Sequence, residues 1–100
     1  MSNRETKTIV GDNGQRLGEA EYVGNALDGK CRLWYSDGQL QEESEYRDGE
    51  LHGSYRTWWQ NGKLKESGQY AQGERVGSYD WYDDSGKPLK DHDYGEPSGS

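Results

Sequence analysis

The chain of 100 residues has no phenylalanine, one methionine, one cysteine and two prolines, and its single isoleucine is Ile9. Hydrophobic residues make up 28% against 31% charged, so the aliphatic interior of an ordinary globular domain cannot be assembled from this list. The lone Cys31 excludes an intramolecular disulfide and a zinc site built on thiolates. No apolar run follows the opening residues 1–7, and none elsewhere is long enough for a membrane-spanning helix. Neither a signal peptide nor a membrane anchor is therefore expected, and the expected compartment is the cytoplasm. Lys and Arg number 12 against 19 Asp and Glu, for a net charge of −7. Nucleic acid and anionic lipid both demand a positive footprint. The expected partner is a basic protein or a second copy of the chain, with no nucleic acid, membrane or cofactor.

Low hydrophobicity with high net charge normally leaves a chain disordered. Two regularities argue otherwise. Aromatic residues reach 12%, all Trp and Tyr, and 15 residues are Gly. Both recur on a 24-residue period: Tyr22, Tyr46, Tyr70 and Tyr94; Gly14, Gly38, Gly62 and Gly86; Gly29, Gly53 and Gly77; and the rings Trp34, Trp58 and Tyr82. A fixed period of this length marks stacked supersecondary units. The units are 22–45, 46–69 and 70–93. They lie in a repeat domain expected over 11–94, with an N-terminal strand or arm at 1–10 and a disordered tail at 95–100.

Each unit carries two turn signals. One is Asp37-Gly38, Asn61-Gly62 and Ser85-Gly86; the other is Asp48-Gly49, echoed by Gln72-Gly73 and Gly24-Asn25. Asn-Gly and Asp-Gly favour two-residue type I′ loops, which need positive φ at both central positions. Asn25 is expected to take the left-handed conformation in place of Gly. The intervening segments are rich in Tyr, Trp and Thr and read as strands. The first usable one lies near 7–10, and the last carries Pro88, which suits an edge.

Two-residue loops at 61–62 and 48–49 put Gln60 opposite Lys63, Trp59 opposite Leu64, Thr57 opposite Glu66, Tyr55 opposite Gly68, Gly53 opposite Tyr70 and Tyr46 opposite Leu51. Side chains alternate faces along a strand. One face then gathers Tyr46, Leu51, Tyr55, Thr57, Trp59, Leu64 and Tyr70, matched in the first unit by Tyr22, Leu27, Cys31, Leu33, Tyr35 and Leu40. The other face is polar, with Trp58 its one ring. Gly29, Gly53 and Gly77 fall opposite Tyr46, Tyr70 and Tyr94, whose rings are expected to lie over the bare glycine backbone. The predicted fold is all-β: a single-layer antiparallel meander of stacked β-hairpins.

The stretch 46–66, with its Tyr46/Gly49/Gly53 opening and its aromatic hairpin at Trp59/Gly62, resembles MORN repeats. It is most similar to the bacterial MORN-variant repeat of proteins often labelled antitoxins. The resemblance covers about 11–94. The departures are Asn25 for Gly, Asp83 for an aromatic residue and Pro88 for Leu; they fall in the outer units, as in capping repeats. The resemblance implies an open, twisted sheet of stacked hairpins with a protein-binding or scaffolding role rather than catalysis.

Candidate chemistry is sparse. His52 and His92 are 40 residues apart and read as solvated side chains. The carboxylates of Glu42, Glu43, Glu45, Asp48 and Glu50, and of Asp80, Asp83, Asp84, Asp91 and Asp93, match no calcium loop and read as solvated charge. Cys31 stands where later units have Tyr55 and Tyr79, and reads as a packed small hydrophobe. No nucleophile triad, phosphate loop or dinucleotide fingerprint occurs, so no enzyme is expected. The residues expected to meet a partner are the off-pattern row Trp34, Trp58 and Tyr82, together with Trp59, Trp81, Asp80, Asp83 and Asp84. A row of rings on a polar face is how binding surfaces look. The expected role is a non-catalytic module that sequesters or inhibits a protein, as an antitoxin or immunity protein would. Two alternatives are an acidic phage-type inhibitor of a host defence protein that mimics nucleic-acid charge, and a self-associating structural scaffold.

Overall fold

A computed structural model describes residues 4–96. The turn residues divide them into eight strands: β1 (Arg4–Val10), β2 (Arg16–Val23), β3 (Ala26–Trp34), β4 (Leu40–Arg47), β5 (Glu50–Trp58), β6 (Leu64–Ala71), β7 (Glu74–Tyr82) and β8 (Pro88–Asp93). Every strand pairs antiparallel with its sequence neighbour, so one open sheet runs β1 to β8 in order. It is a slab of 38 × 35 × 13 Å, one layer thick. The expected single-layer meander is what forms. No helix among the described residues is long and apolar enough to cross a membrane. Of the tail expected at 95–100, residues 97–100 lie outside the described residues, as do residues 1–3 of the expected arm.

The two kinds of loop differ, and only one is the kind expected. Between β4 and β5, Asp48 and Gly49 have φ of 49° and 86°; between β6 and β7, Gln72 and Gly73 have 52° and 83°. Those are the two positive angles of a type I′ turn. Between β2 and β3 only Gly24 is positive, at 62°, so the turn is of the II′ kind and Asn25 does not enter the left-handed region. The loops at the other end hold three residues rather than two. Gly62 N–H donates to Trp59 O at 2.9 Å and Trp59 N–H donates to Lys63 O at 2.8 Å, with positive φ at Gly62 alone of the Asn61-Gly62 pair. This is a type I turn closed by a glycine bulge, and it recurs at 35–39 and 83–87. The extra residue shifts the register between Thr57 and Trp58, so Leu64 pairs with Trp58 and not with Trp59.

Beyond that bulge the expected pairing holds: Thr57 with Glu66, Tyr55 with Gly68, Gly53 with Tyr70, Tyr46 with Leu51. On the other side of β5 the ladder is interrupted again. Tyr46 pairs with Leu51 but Ser44 pairs with Tyr55, so His52, Gly53 and Ser54 stand against Glu45 alone. The same irregularity sets Asp28, Gly29 and Lys30 against Glu21. Because the excess is two residues, the faces stay in step.

These bulges give the strand glycines a different purpose from the one expected. Gly53 does lie opposite Tyr70, but its φ is 115° and the Glu45 carboxyl, not the tyrosine ring, is what a Cβ there would meet, at 3.1 Å. Glu21 fills the same place at Gly29. The carboxylates take the amides that the bulge frees: Glu45 Oε1 accepts Ser54 Oγ–H at 2.9 Å and Ser54 N–H at 3.3 Å, and Glu21 Oε1 accepts Lys30 N–H at 2.7 Å. A ring does cover a bare glycine, but at Gly68, where Tyr79 occupies the space a side chain would take.

Gly53→Val should therefore lower unfolding stability by roughly 3 kcal/mol, through a forbidden φ for a β-branched residue and the Glu45 contact. Gly77→Ala, at φ 65° with nothing within 4 Å of the added methyl, should cost only roughly 1 kcal/mol. Urea titration of both variants checks this. Equal losses would mean that Glu45 does not pack on Gly53.

Candidate protein-binding faces

A single-layer sheet has no second layer to bury its apolar face against. Among the described residues only two side chains, Tyr79 and Ser44, are fully buried. Tyr79 is the hub of the tyrosine face. Its ring centroid lies 4.7 Å from Trp81, 5.9 Å from Tyr94 and 6.1 Å from Tyr70, which meets Tyr55 edge-on at 5.3 Å. Edge-to-face contacts of this kind set positive ring edges against negative faces.

Arg75 is pressed into this cluster. Its guanidinium lies 4.9 Å from the Tyr79 centroid and 5.8 Å from both Trp81 and Tyr94, and its Nε donates to Tyr70 Oη at 3.2 Å. Position 75 corresponds to Leu27 and Leu51, so a cation replaces the leucine where the ring cluster is densest. The ring faces attract the cation, and its Nη2 lies 3.9 Å from Glu66 Oε1.

Two carboxylates serve the tyrosine phenols from the same face. Glu66 accepts the Tyr79 hydroxyl at 2.6 Å and the Thr57 hydroxyl at 3.4 Å; Glu42 accepts the Tyr55 hydroxyl at 3.2 Å. Burial, then the neighbouring carboxylates, push both phenols well above the ordinary tyrosine range. The reading of the acidic residues as merely solvated fails here, and also at Glu43, which pairs with Arg32 Nε at 2.9 Å. In the first unit Cys31 takes the tyrosine position, half-buried between Ala20 and Ser44, with burial pushing its thiol up. That environment suits a packed group rather than a nucleophile.

Trp34, Trp58 and Tyr82 end β3, β5 and β7. Each alternates with a tyrosine-face neighbour and so belongs to the opposite, polar face. Their strands are two apart, placing the rings roughly 9–10 Å from one another before twist. All three are half-buried rather than bare. Arg16 covers Trp34, its guanidinium 4.8 Å from the ring centroid. Tyr82 shares a depression of about 380 Å3 with Asp80, Trp81, Pro88 and Lys90. Trp34 lines a separate hollow of about 150 Å3 with Gln15 and Gly38.

The remaining candidates are tied into the repeat. Trp59 lies under Lys65 Nζ, 4.6 Å from its centroid, and donates Nε1–H to Tyr82 O at 3.1 Å. Tyr35 does the same one unit earlier, donating its hydroxyl to Trp58 O at 2.7 Å. Asn61 Nδ2 donates to Asp84 O at 2.6 Å. Asp83 stands where Tyr35 and Trp59 stand. It closes its own loop, Oδ1 accepting Ser85 Oγ–H and the amides of Ser85 and Lys87, and the Ser85 hydroxyl holds its carboxyl below the usual range. Asp80, Trp81 and Tyr82 are thus brought together around β8, whereas Trp59 and the main chain of Asp84 join successive turns and Asp83 closes its own loop.

His52 Nδ1 accepts Gln72 N–H at 3.3 Å, the service that Asp28 gives Asp48 N–H at 3.1 Å, so it is a turn cap rather than a free ring. His92 lies on the exposed β8, 4.4 Å from the Tyr94 ring. Among the described residues no three His, Cys, Asp or Glu side chains converge to hold a metal ion. Arg75 and Glu66 are the functional-face residues that sequence reasoning passed over. The signal was a Leu-Leu-Arg series at 27, 51 and 75.

Residues 27–48 and 51–72 each match the family model of the MORN repeat variant. Repeats of this kind build binding or structural modules, and MORN-repeat proteins are generally non-catalytic. No curated protein and no solved structure matches the chain.

The phenols predict how the sheet fails in alkali. Tyr55 and Tyr79 ionise at higher pH folded than unfolded. The stability they contribute is therefore full below about pH 10, the unfolded value, and is lost as pH rises above it. Tyrosinate absorbance should appear together with loss of the β-sheet circular dichroism. Tyr79→Phe should reduce the steepness of that loss above pH 10 while costing about 1–2 kcal/mol at neutral pH, from the lost hydrogen bond to Glu66.

Proposed function

We propose that the chain is a non-catalytic module that sequesters or inhibits a basic protein partner, in the manner of an antitoxin or immunity protein. The observation that carries this reading is the row of half-buried rings at the ends of β3, β5 and β7, on a chain of net charge −7. Partly covered Trp and Tyr supply large contact area at small entropic cost, and such residues dominate binding energies. The carboxylates around Tyr82, namely Asp80 and Asp91, supply the complementary charge that accelerates encounter with a cationic surface.

The test begins with the immobilised chain, used to isolate its partner from source-cell extract. Purified partner is then titrated with chain while its own activity is followed. Inhibition should saturate at one chain per partner, and association should slow as salt rises. Trp58→Ala should weaken binding by at least about tenfold, roughly 1.4 kcal/mol, while leaving the melting temperature nearly unchanged. A partner that keeps full activity when saturated overturns inhibition, and undiminished affinity in Trp58→Ala removes the aromatic row from the interface.

A further inference from the structure

The two edge strands are the least protected parts of the slab. Every residue of β1 and of β8 is exposed. The exposed large hydrophobics are Ile9 at 65%, Val10 at 57% and Leu89 at 64%, all on these two strands. A sheet of eight strands is roughly 34 Å from first to last at about 4.8 Å per strand, in accord with the 38 × 35 × 13 Å slab. The two edges therefore lie at opposite ends and cannot pair within one chain.

The repeat period relates them. β8 stands in the phase of β2, β4 and β6, each of which is followed by an odd-numbered strand; β1 stands in the phase of β3, β5 and β7, each of which is preceded by an even-numbered one. We infer that β8 of one copy pairs antiparallel with β1 of the next, continuing the meander across the molecular boundary. This inference does not rest on the binding role proposed above.

The register follows from the existing ladder. Gly18 pairs with Leu33, Glu19 with Arg32 and Ala20 with Cys31. Carried forward three periods on β2 and back one on β3, these pairs become Lys90 with Ile9, Asp91 with Thr8 and His92 with Lys7. One step further Leu89 meets Val10, so two of the three exposed apolar side chains become cross-strand neighbours, while Ile9 lies on the other face against Lys90. Cross-strand apolar pairs are the unit of sheet cohesion. Thr8 faces Asp91 and Thr6 faces Asp93, repeating the relation in which Glu45 accepts from Ser54. β8 is net acidic, Asp91 and Asp93 outweighing Lys90, whereas on β1 Lys7 offsets Glu5 and Arg4 is held by Asp28, so the seam opposes no two strands of like charge. Glu5 stands where Gly29 and Gly53 allow the bulge, so this seam runs as an unbulged ladder. The contact is head-to-tail and does not close into a dimer. Its single-strand width puts it among small, transient interfaces.

Sedimentation velocity on the full chain tests this. The weight-average mass should climb with concentration towards about 1 mM without settling at a dimer. Two variants block one edge each: Thr8→Glu/Val10→Asp on β1, set against Asp91 and Leu89, and Leu89→Asp on β8, set against Val10. Each alone should stay monomeric, with far-ultraviolet circular dichroism and tryptophan emission like the parent. Mixed in equal amounts they should form a one-to-one dimer, since one variant keeps a free β8 and the other a free β1. A parent chain that remains monomeric throughout, a folded variant that self-associates unaided, or a mixture that stays monomeric overturns the proposal. Should a blocked variant lose its folded spectrum, Thr8→Glu, set against Asp91, and His92→Lys, set against Lys7, replace it, read by the same mixing.

Discussion

A sheet one layer thick has no interior, and everything in this chain answers to that constraint. Its cohesion must come from the backbone ladder and from side chains lying along the surface rather than beneath it. Tyrosine is suited to this: its ring covers a neighbour while its hydroxyl reaches a polar partner. The hub at Tyr79 works by both means, stacked on Gly68 and anchored to Glu66. Glycine is the necessary counterpart, since a side chain at 68 would displace the ring. The carboxylates complete the set by taking the hydroxyls and the bulge amides that a single layer cannot otherwise satisfy.

Much of this was legible before any coordinates. The 24-residue recurrence of tyrosine and glycine led to the strand order and to most of the register, because period-two alternation is strongly specified once the loops are placed. Local conformation was less legible. Asn61-Gly62 fits a two-residue or a three-residue loop equally well; what decides is whether Asn61 accepts a negative φ, and that depends on how the following strand must twist. The bulges opposite Glu21 and Glu45 were invisible for a related reason. A two-residue excess preserves the alternation of faces, so the hydrophobic pattern carries no trace of it.

The binding face was the hardest part to read. Spacing identifies the ring positions of Trp34, Trp58 and Tyr82, but not that Arg16 would lie over the first of them. Nor does it reveal that Trp59 joins the turns of successive units while Asp83 closes its own. The Leu-Leu-Arg series at 27, 51 and 75 was present in the sequence, yet a single arginine among leucines gains meaning only when four rings are found around it.

The rings at the turns carry a consequence for how the molecule comes apart. Tyr35 reaches the strand end of the unit after it, Trp59 does likewise, and Asp83 bonds instead within its own loop. Each unit is thus clasped by the one before it, and the dense tyrosine cluster lies towards the carboxyl-terminal units. Strand β1, with no buried side chain, is held by its ladder to β2 and by Arg4 on Asp28. Such a linear array of neighbour couplings frays rather than melts at once. Opening starts at the two exposed margins, β1 and β8, and moves inward strand by strand, so the sheet unravels from its rims rather than collapsing as a unit.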